Sequence, residues 1–213
     1  MINNAARWLE EDLGDKLAGE DRENMTLLRN RVLRMEKLLD DLLEYSRVGK
    51  TDDARYKETV SGVTLMGDLL LLLAPPPAMT IRFADAFKAI SVRRMPLQQV
   101  LFNLIGNAMK HHDRGSGLIE IGVIESDTEF RFSVRDDGPG IPAQFQEKIF
   151  EMFHTLRPRD EVEGSGMGLA LVKKTVERFG GTIAVRSDGG RGTEFTFVWL
   201  KKQQSISLSE RAA

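Results

Sequence analysis

The sequence predicts an α+β fold: an α/β sandwich, a mixed sheet with helices on one face, preceded by an antiparallel helical hairpin. Three observations predict it. A long stripe at helical spacing, Met25, Leu28, Val32, Met35, Leu38, Leu39, Leu42 and Leu43, occupies the first quarter of the chain. From residue 58 onward, short alternating or β-rich segments are interleaved with amphipathic ones. Two pairs of strand-like segments are separated only by short polar or glycine-rich turns, which favours antiparallel neighbours.

In chain order, residues 2–17 carry Ile2, Ala5, Ala6, Leu9, Leu13 and Leu17 at helical spacing, with Gly14 and Gly19 at the end of the pattern. Residues 25–47 form the second, stronger helix. Two helices cannot bury both stripes alone, so the hairpin either packs on a second copy as a four-helix bundle or lies against its own chain. Residues 49–56 are polar and read as a linker, dividing a hairpin over 1–48 from a domain over 57–202. Within that domain, strands are expected at 58–63, 79–83, 89–92, 119–124, 129–134, 182–186 and 193–200. Helices are expected at 65–73, 96–111, 143–150 and from about 168 to 178. Residues 203–213 read as a polar, frayed tail.

Composition narrows the function classes. Thirty Lys and Arg against 32 Asp and Glu give a formal charge of −2, so no global charge favours nucleic acid or an anionic membrane. No cysteine is present, which removes disulfides and thiolate metal sites and suits a reducing, cytoplasmic compartment. The most apolar run, 69–74, is far shorter than the ~20 residues a membrane helix needs, so no membrane contact is expected.

Three stretches carry candidate chemistry. Gly164, Ser165, Gly166, Met167, Gly168 and Leu169 open an amphipathic segment, so the bare N–H groups of a helix N-terminus form a candidate anion site. Asn103, Asn107 and Lys110 stand at i, i+4 and i+7 on one helix face. Asparagine is a poor helix former, and an amide oxygen can ligate a hard cation; two solvated asparagines are the alternative. Asp136, at the end of a strand, precedes Gly138, Gly140 and Ile141. A carboxylate there can accept from the exocyclic amine of adenine, or it can belong to an ordinary Asp-Gly turn.

Taken together these stretches resemble the sensor histidine kinases. LQQVLFNLIGNAMK (97–110) is similar to their N box, DDGPGIP (136–142) to their first glycine box and IFEMF (149–153) to their F box. GSGMGL (164–169) is similar to the second glycine box and RGTEFTF (191–197) to the closing strand, while LRPRDE (156–161) resembles the lid of kinases with PAS or phytochrome input domains. The resemblance spans residues 58–200 and implies a Bergerat-type fold that binds ATP and Mg²⁺. It implies Asn107 and Asn103 as Mg²⁺ ligands, with Lys110 and His111 meeting phosphate. It also implies Asp136 and Thr193 at adenine, residues 164–169 around the phosphates, and Arg157 or Arg159 reaching the γ-phosphate from a lid over 153–163.

The ATP-hydrolysing relatives place a glutamate one turn before the metal-binding asparagine. Here that position is Asn103, which cannot serve as a general base, so phosphoryl transfer is favoured over hydrolysis. The resemblance further implies a homodimer through the hairpin and a response-regulator receiver domain as partner. The acceptor histidine expected on the first hairpin helix is absent: the three histidines are His111, His112 and His154. The chain is therefore expected to begin just after the acceptor motif, and His111 and His112 read as a polar helix end. A nucleotide-sensing module without phosphotransfer is the alternative function.

Overall fold

A computed structural model describes residues 8, 12–13, 19–48, 58–155 and 165–201. Of the expected first hairpin helix only Trp8, Asp12 and Leu13 fall among them, each helical. The rest of that helix, the linker over 49–56 and the tail over 203–213 lie outside the described residues.

The first long helix, α1, is Glu20–Arg47. Glu20, Asp21 and Glu23 occupy its first turn and Arg47 its last, each of the sign that the helix dipole favours. Val32 is buried, yet Leu28, Met35, Leu39, Leu42 and Leu43 on the stripe are exposed. Near its C-terminus, α1 rests on the domain that follows. Gln99 Nε2 donates to Glu44 Oε2 at 2.5 Å, and Lys174 Nζ donates to the Tyr45 carbonyl at 2.7 Å while lying 3.7 Å from the Tyr45 ring centre.

The domain opens with β1, Thr59–Ser61, paired antiparallel with β3, Ser91–Arg93. The strand expected to reach residue 63 stops earlier because Ser61 Oγ accepts the Thr64 N–H at 3.1 Å and starts helix α2, Gly62–Leu73. A Cβ at Gly62 would stand 2.4 Å from the Phe87 carbonyl oxygen, so glycine is needed where this helix meets the short 3-10 turn Asp85–Lys88.

A five-stranded sheet has the order β2, β4, β5, β7, β6. Its strands are β2 Met79–Phe83, β4 Gly117–Glu125, β5 Glu129–Asp136, β6 Ile183–Arg186 and β7 Thr193–Leu200. Only β2 and β4 are parallel; the other neighbours are antiparallel, so the sheet is mixed as expected. Period-two alternation places Ile119, Ile121, Val123, Phe130, Phe132, Val134, Phe195, Phe197 and Trp199 in the core. Helices α3, Arg94–Lys110, and α4, Gly168–Arg178, cover that face together with α2. Phe132 stacks on Phe197 at 5.1 Å between centres, and Phe179 on Trp199 at 5.0 Å. Truncating a ring so enclosed costs about 3–5 kcal/mol, which makes this aromatic row the main fixing point of the β5–β7 pair.

Within α3, Met95 is non-helical (φ −93°, ψ 140°), so the regular helix starts at Pro96, where it was expected. One further segment differs from expectation. Residues 143–150 form two 3-10 turns, Ala143–Phe145 and Lys148–Phe150, in place of one helix. The cause is Gln146: its side-chain amide donates to the Ile141 carbonyl at 3.0 Å and the Ser187 carbonyl at 2.6 Å, drawing the segment onto the β6–β7 loop.

Candidate nucleotide site

At one end of the site, β5 closes in two adjacent carboxylates. Asp136 faces Thr193 across the β5–β7 ladder and Ile119 across β4–β5, so its backbone is fixed from both sides. Its Oδ1 accepts the Gly138 N–H at 2.9 Å. Burial pushes its carboxyl above the usual carboxylate range, and the Gly138 and Thr193 amides pull it partly back. Thr193 itself is buried. Asp137 behaves oppositely: the Leu118 N–H, 2.7 Å from Oδ1, holds it below the usual range, with His112 assisting at 3.0 Å. Two neighbouring aspartates thus divide in role by environment, one spent on the chain's own groups and one left half-buried.

The following loop is fastened to the β6–β7 connection. Ser187 Oγ accepts the Ile141 N–H at 2.9 Å and donates to the Gly192 carbonyl at 2.8 Å, and the Gly192 N–H donates to the Gly138 carbonyl at 2.8 Å. Gly140 has φ +77°, and a Cβ there would lie 2.5 Å from the Gly190 carbonyl. This close loop-on-loop approach is what demands glycine at 140.

At the other end, α4 begins at Gly168 without a side-chain cap, so its first N–H groups stay open. It points at α3. A Cβ on Gly168 would stand 3.1 Å from Asn103 Oδ1 and 3.9 Å from Asn107 Nδ2. Asn103 is oriented by its own helix: Nδ2 donates to the Gln99 carbonyl at 3.0 Å, which leaves Oδ1 turned to that N-terminus. The approach to α4 is pinned by side chains that face inward. Ser165 is buried with Oγ accepting the Met167 N–H at 3.1 Å, and Met167 is fully buried. Gly166 has φ +73° and sits 2.9–3.0 Å, at its Cβ position, from Phe153 and the His154 carbonyl, while its own carbonyl accepts the Phe153 N–H at 3.0 Å.

The structure therefore brings Gly168 against Asn103 and Asn107, with Gly166 packed on the Phe153–His154 backbone and Leu169 on the core, and it gathers Asp136, Gly138 and Thr193 at the end of β5, with Gly140 and Ile141 fastened to the β6–β7 loop. Lys110 and His111 close α3 between them, Lys110 exposed and His111 half-buried. Arg157, Arg159 and Gly164, and most of the expected lid over 153–163, lie outside the described residues. Three contributors escaped sequence reasoning. His112, expected as a polar helix end, has a buried ring packed under the start of β4; a Cβ at Gly117 would stand 2.4 Å from its Nε2. Asp137 and Arg191 were equally hidden, since their roles depend on partners far away in sequence. Gly117 at a strand start was the available signal.

Residues 93–204 match the family described as histidine kinase-, DNA gyrase B- and HSP90-like ATPase. The chain is 35% identical over 202 residues to cyanobacterial phytochrome B of Nostoc sp. strain PCC 7120, covering 92% of this chain and 26% of that protein. It is 30% identical over 205 residues to the sensor histidine kinase WalK of Bacillus subtilis, covering 92% of this chain and 32% of that one. Among solved structures, full-length ShkA in complex with AMPPNP aligns at a TM-score of 0.67 and 30% identity, over 92% of this chain and 41% of that one. The chain thus spans about a quarter to a third of the length of these two curated relatives. Among the described residues no helix is long and apolar enough to cross a membrane. The fold, the paired glycine stretches and these similarities agree: the chain belongs to the histidine kinase-, DNA gyrase B- and HSP90-like ATPases and carries the catalytic-domain fold of sensor histidine kinases.

Proposed function

We propose that this chain is the ATP-binding kinase region of a two-component sensor, moving the γ-phosphoryl group of ATP to a histidine for relay to a response-regulator receiver domain. The observation that carries the reading is the meeting of the uncapped α4 N-terminus with Asn103 and Asn107, in the same domain as a half-buried Asp136 at the end of β5. Adenine is read by Asp136, with Gly138, Gly140, Ile141 and Thr193 shaping its surroundings. Triphosphate lies along the N–H groups of residues 166–169, with Gly164, Ser165, Lys110, His111 and Arg157 or Arg159 completing the phosphate side.

The residues present fit a hard cation. Asn103 Oδ1 is free of its own helix and faces the place where phosphate oxygens would sit, and Asn107 stands one turn on. Mg²⁺, when bound, neutralises charge on the phosphate oxygens. What the chain itself does is position: amide oxygens hold the cation, the α4 N-terminus holds the anion, and no carboxylate stands at 103 to activate water. This favours transfer over hydrolysis.

The exposed Leu28, Met35, Leu39, Leu42 and Leu43 on α1 support a homodimer through the hairpin, where a second copy buries the stripe. We place the working chain in the cytoplasm, where ATP and a receiver domain are available.

Residues 1–48 contain no histidine, which sets the experiment. With radiolabelled ATP, this chain alone should give no acid-labile phosphohistidine. Mixed with a separate dimerising helix bearing an acceptor histidine, it should label that helix. ATP binding with no transfer under any mixture would overturn the kinase reading in favour of a nucleotide-sensing module.

A further inference from the structure

Asp137, the carboxylate that does not face the proposed adenine pocket, is where three distant segments meet. Its Oδ1 accepts from His112 Nε2 at 3.0 Å and from the Leu118 N–H at 2.7 Å. Its main-chain oxygen accepts from Arg191 Nε at 3.1 Å and Nη2 at 2.7 Å. The same guanidinium makes a two-pronged pair with Asp113, Nη1 to Oδ2 at 3.0 Å and Nη2 to Oδ1 at 3.1 Å. His112 Nδ1 lies 3.2 Å from the Arg114 N–H and 3.1 Å from the Arg114 carbonyl oxygen, so the ring is held at both nitrogens. His112 and Asp113 directly follow α3, the helix that carries Asn103, Asn107 and Lys110.

Past Asp136, whose own backbone the two ladders hold, the chain leaves the sheet and supplies little stiffness of its own. Asp136 is followed within four residues by Gly138 and Gly140, and the peptide beside it is crowded by Gly192, where a Cβ would stand 2.8 Å from the Asp136 carbonyl. A carboxylate that must meet one amine needs its backbone held from outside. Arg191 meets that need: a planar fork with both edges occupied resists rotation in a way a single surface ion pair does not. Its side chain is still 40% exposed, so the arrangement contributes more to geometry than to stability.

We propose that Arg191, braced by Asp113, is a positioning residue for base recognition. It fixes the Asp137 peptide so that the Asp136 carboxylate stays aimed at the exocyclic amine of adenine, and it ties that end of the site to the asparagine-bearing helix. The inference rests on the reading of Asp136 as the adenine contact.

The test compares ATP with inosine triphosphate, which has a carbonyl in place of the 6-amine, by competition against a fluorescent nucleotide on the full chain. Arg191→Gln and Asp113→Asn should each lower the preference for ATP by about tenfold with inosine triphosphate affinity unchanged, and Arg191→Lys should recover part of it. Asp136→Asn serves as the reference, since it should remove the preference altogether. If Asp136→Asn removes it but both network variants keep it, the positioning role is wrong and the Asp136 reading stands. Equal weakening of both nucleotides, with a lowered Tm, also overturns the proposal, because the network would then be holding the fold. A preference that survives Asp136→Asn overturns the adenine reading and the proposal with it. Asp113→Asn leaves the guanidinium in place, so it decides the matter even if Arg191→Gln fails to fold.

Discussion

The two sides of the proposed site are built on opposite plans. On the strand side nearly every polar group near Asp136 is already spoken for: Ser187, Gly138, Gly192, Asp137 and Arg191 satisfy one another, and the half-buried Asp136 carboxylate accepts from backbone amides. On the helix side the chain leaves its donors bare, with an uncapped α4 facing the amides of α3. The contrast follows from the ligands proposed. A flat base with one amine is discriminated by a group that cannot move, whereas a triphosphate offers many oxygens and is held by backbone dipoles that need only be uncovered. Selectivity and affinity are thereby separated in space, and each can be removed without the other.

The strongest way to break this contrast is Asp136→Asn. The variant loses a charged acceptor at a half-buried position, and ATP affinity should fall by tenfold to about a hundredfold, as expected for a hydrogen bond to a charged group. Calorimetric titration with ATP checks it. Affinity for free triphosphate should change little, because the helix side is untouched. An unchanged ATP affinity removes Asp136 from the site.

A smaller effect is expected from filling the other end. Gly168 opens α4 with no positive φ, and the nearest atom to an added Cβ is the end of the Asn103 side chain, so Gly168→Ala should change Tm little. Its methyl would nonetheless stand 3.1 Å from Asn103 Oδ1, in the space proposed for phosphate and cation. Affinity for ATP and inosine triphosphate should drop together, by about tenfold, with the preference between them preserved. A fall in Tm with no change in binding would show instead that residue 168 is a packing position.

These two plans differed in how readily the sequence disclosed them. The helix side was legible because its signals are local: glycines before an amphipathic run, and asparagines at i and i+4 where a helix would not choose them. The sheet was legible because β5 alternates and β4 and β7 alternate or run apolar between polar turns, from Ile119 to Trp199. What stayed hidden depends on contacts across long sequence separations. Gln146 reaching Ser187 converts an expected helix over 143–150 into two short turns, and no periodicity reports it. The role of Asp137 depends on His112, Leu118 and Arg191 converging on it from 25, 19 and 54 positions away. The strand expected at 58–63 was cut short by a serine cap whose partner, Thr64, is a single hydroxyl-bearing residue among leucines.

The mildest perturbation, pH, separates the two aspartates without any substitution. Burial raises Asp136 above the ordinary carboxylate value of about 3.9, so between those two values the folded free chain keeps a proton that the unfolded chain has released. The stability this group contributes therefore rises as pH falls through that window and is lost as pH rises through the folded-state value. Nucleotide recognition runs the other way, because the ionised carboxylate is the stronger acceptor for the adenine amine, whereas the neutral acid brings an O–H that suits a carbonyl as well. The preference for ATP over inosine triphosphate should decline on acidification at a pH above the ordinary aspartate range, while the affinity for inosine triphosphate stays level over the same interval. Asp137 does not contribute there: the Leu118 amide and His112 depress it, so its contribution to stability is lost only at lower pH. Other carboxylates titrate as well, and the Asp136→Asn chain isolates the difference, since its preference should be small and flat with pH. A preference in the unsubstituted chain that is equally flat would mean that Asp136 meets the base as a neutral acid, and the division of labour between the two aspartates would have to be redrawn.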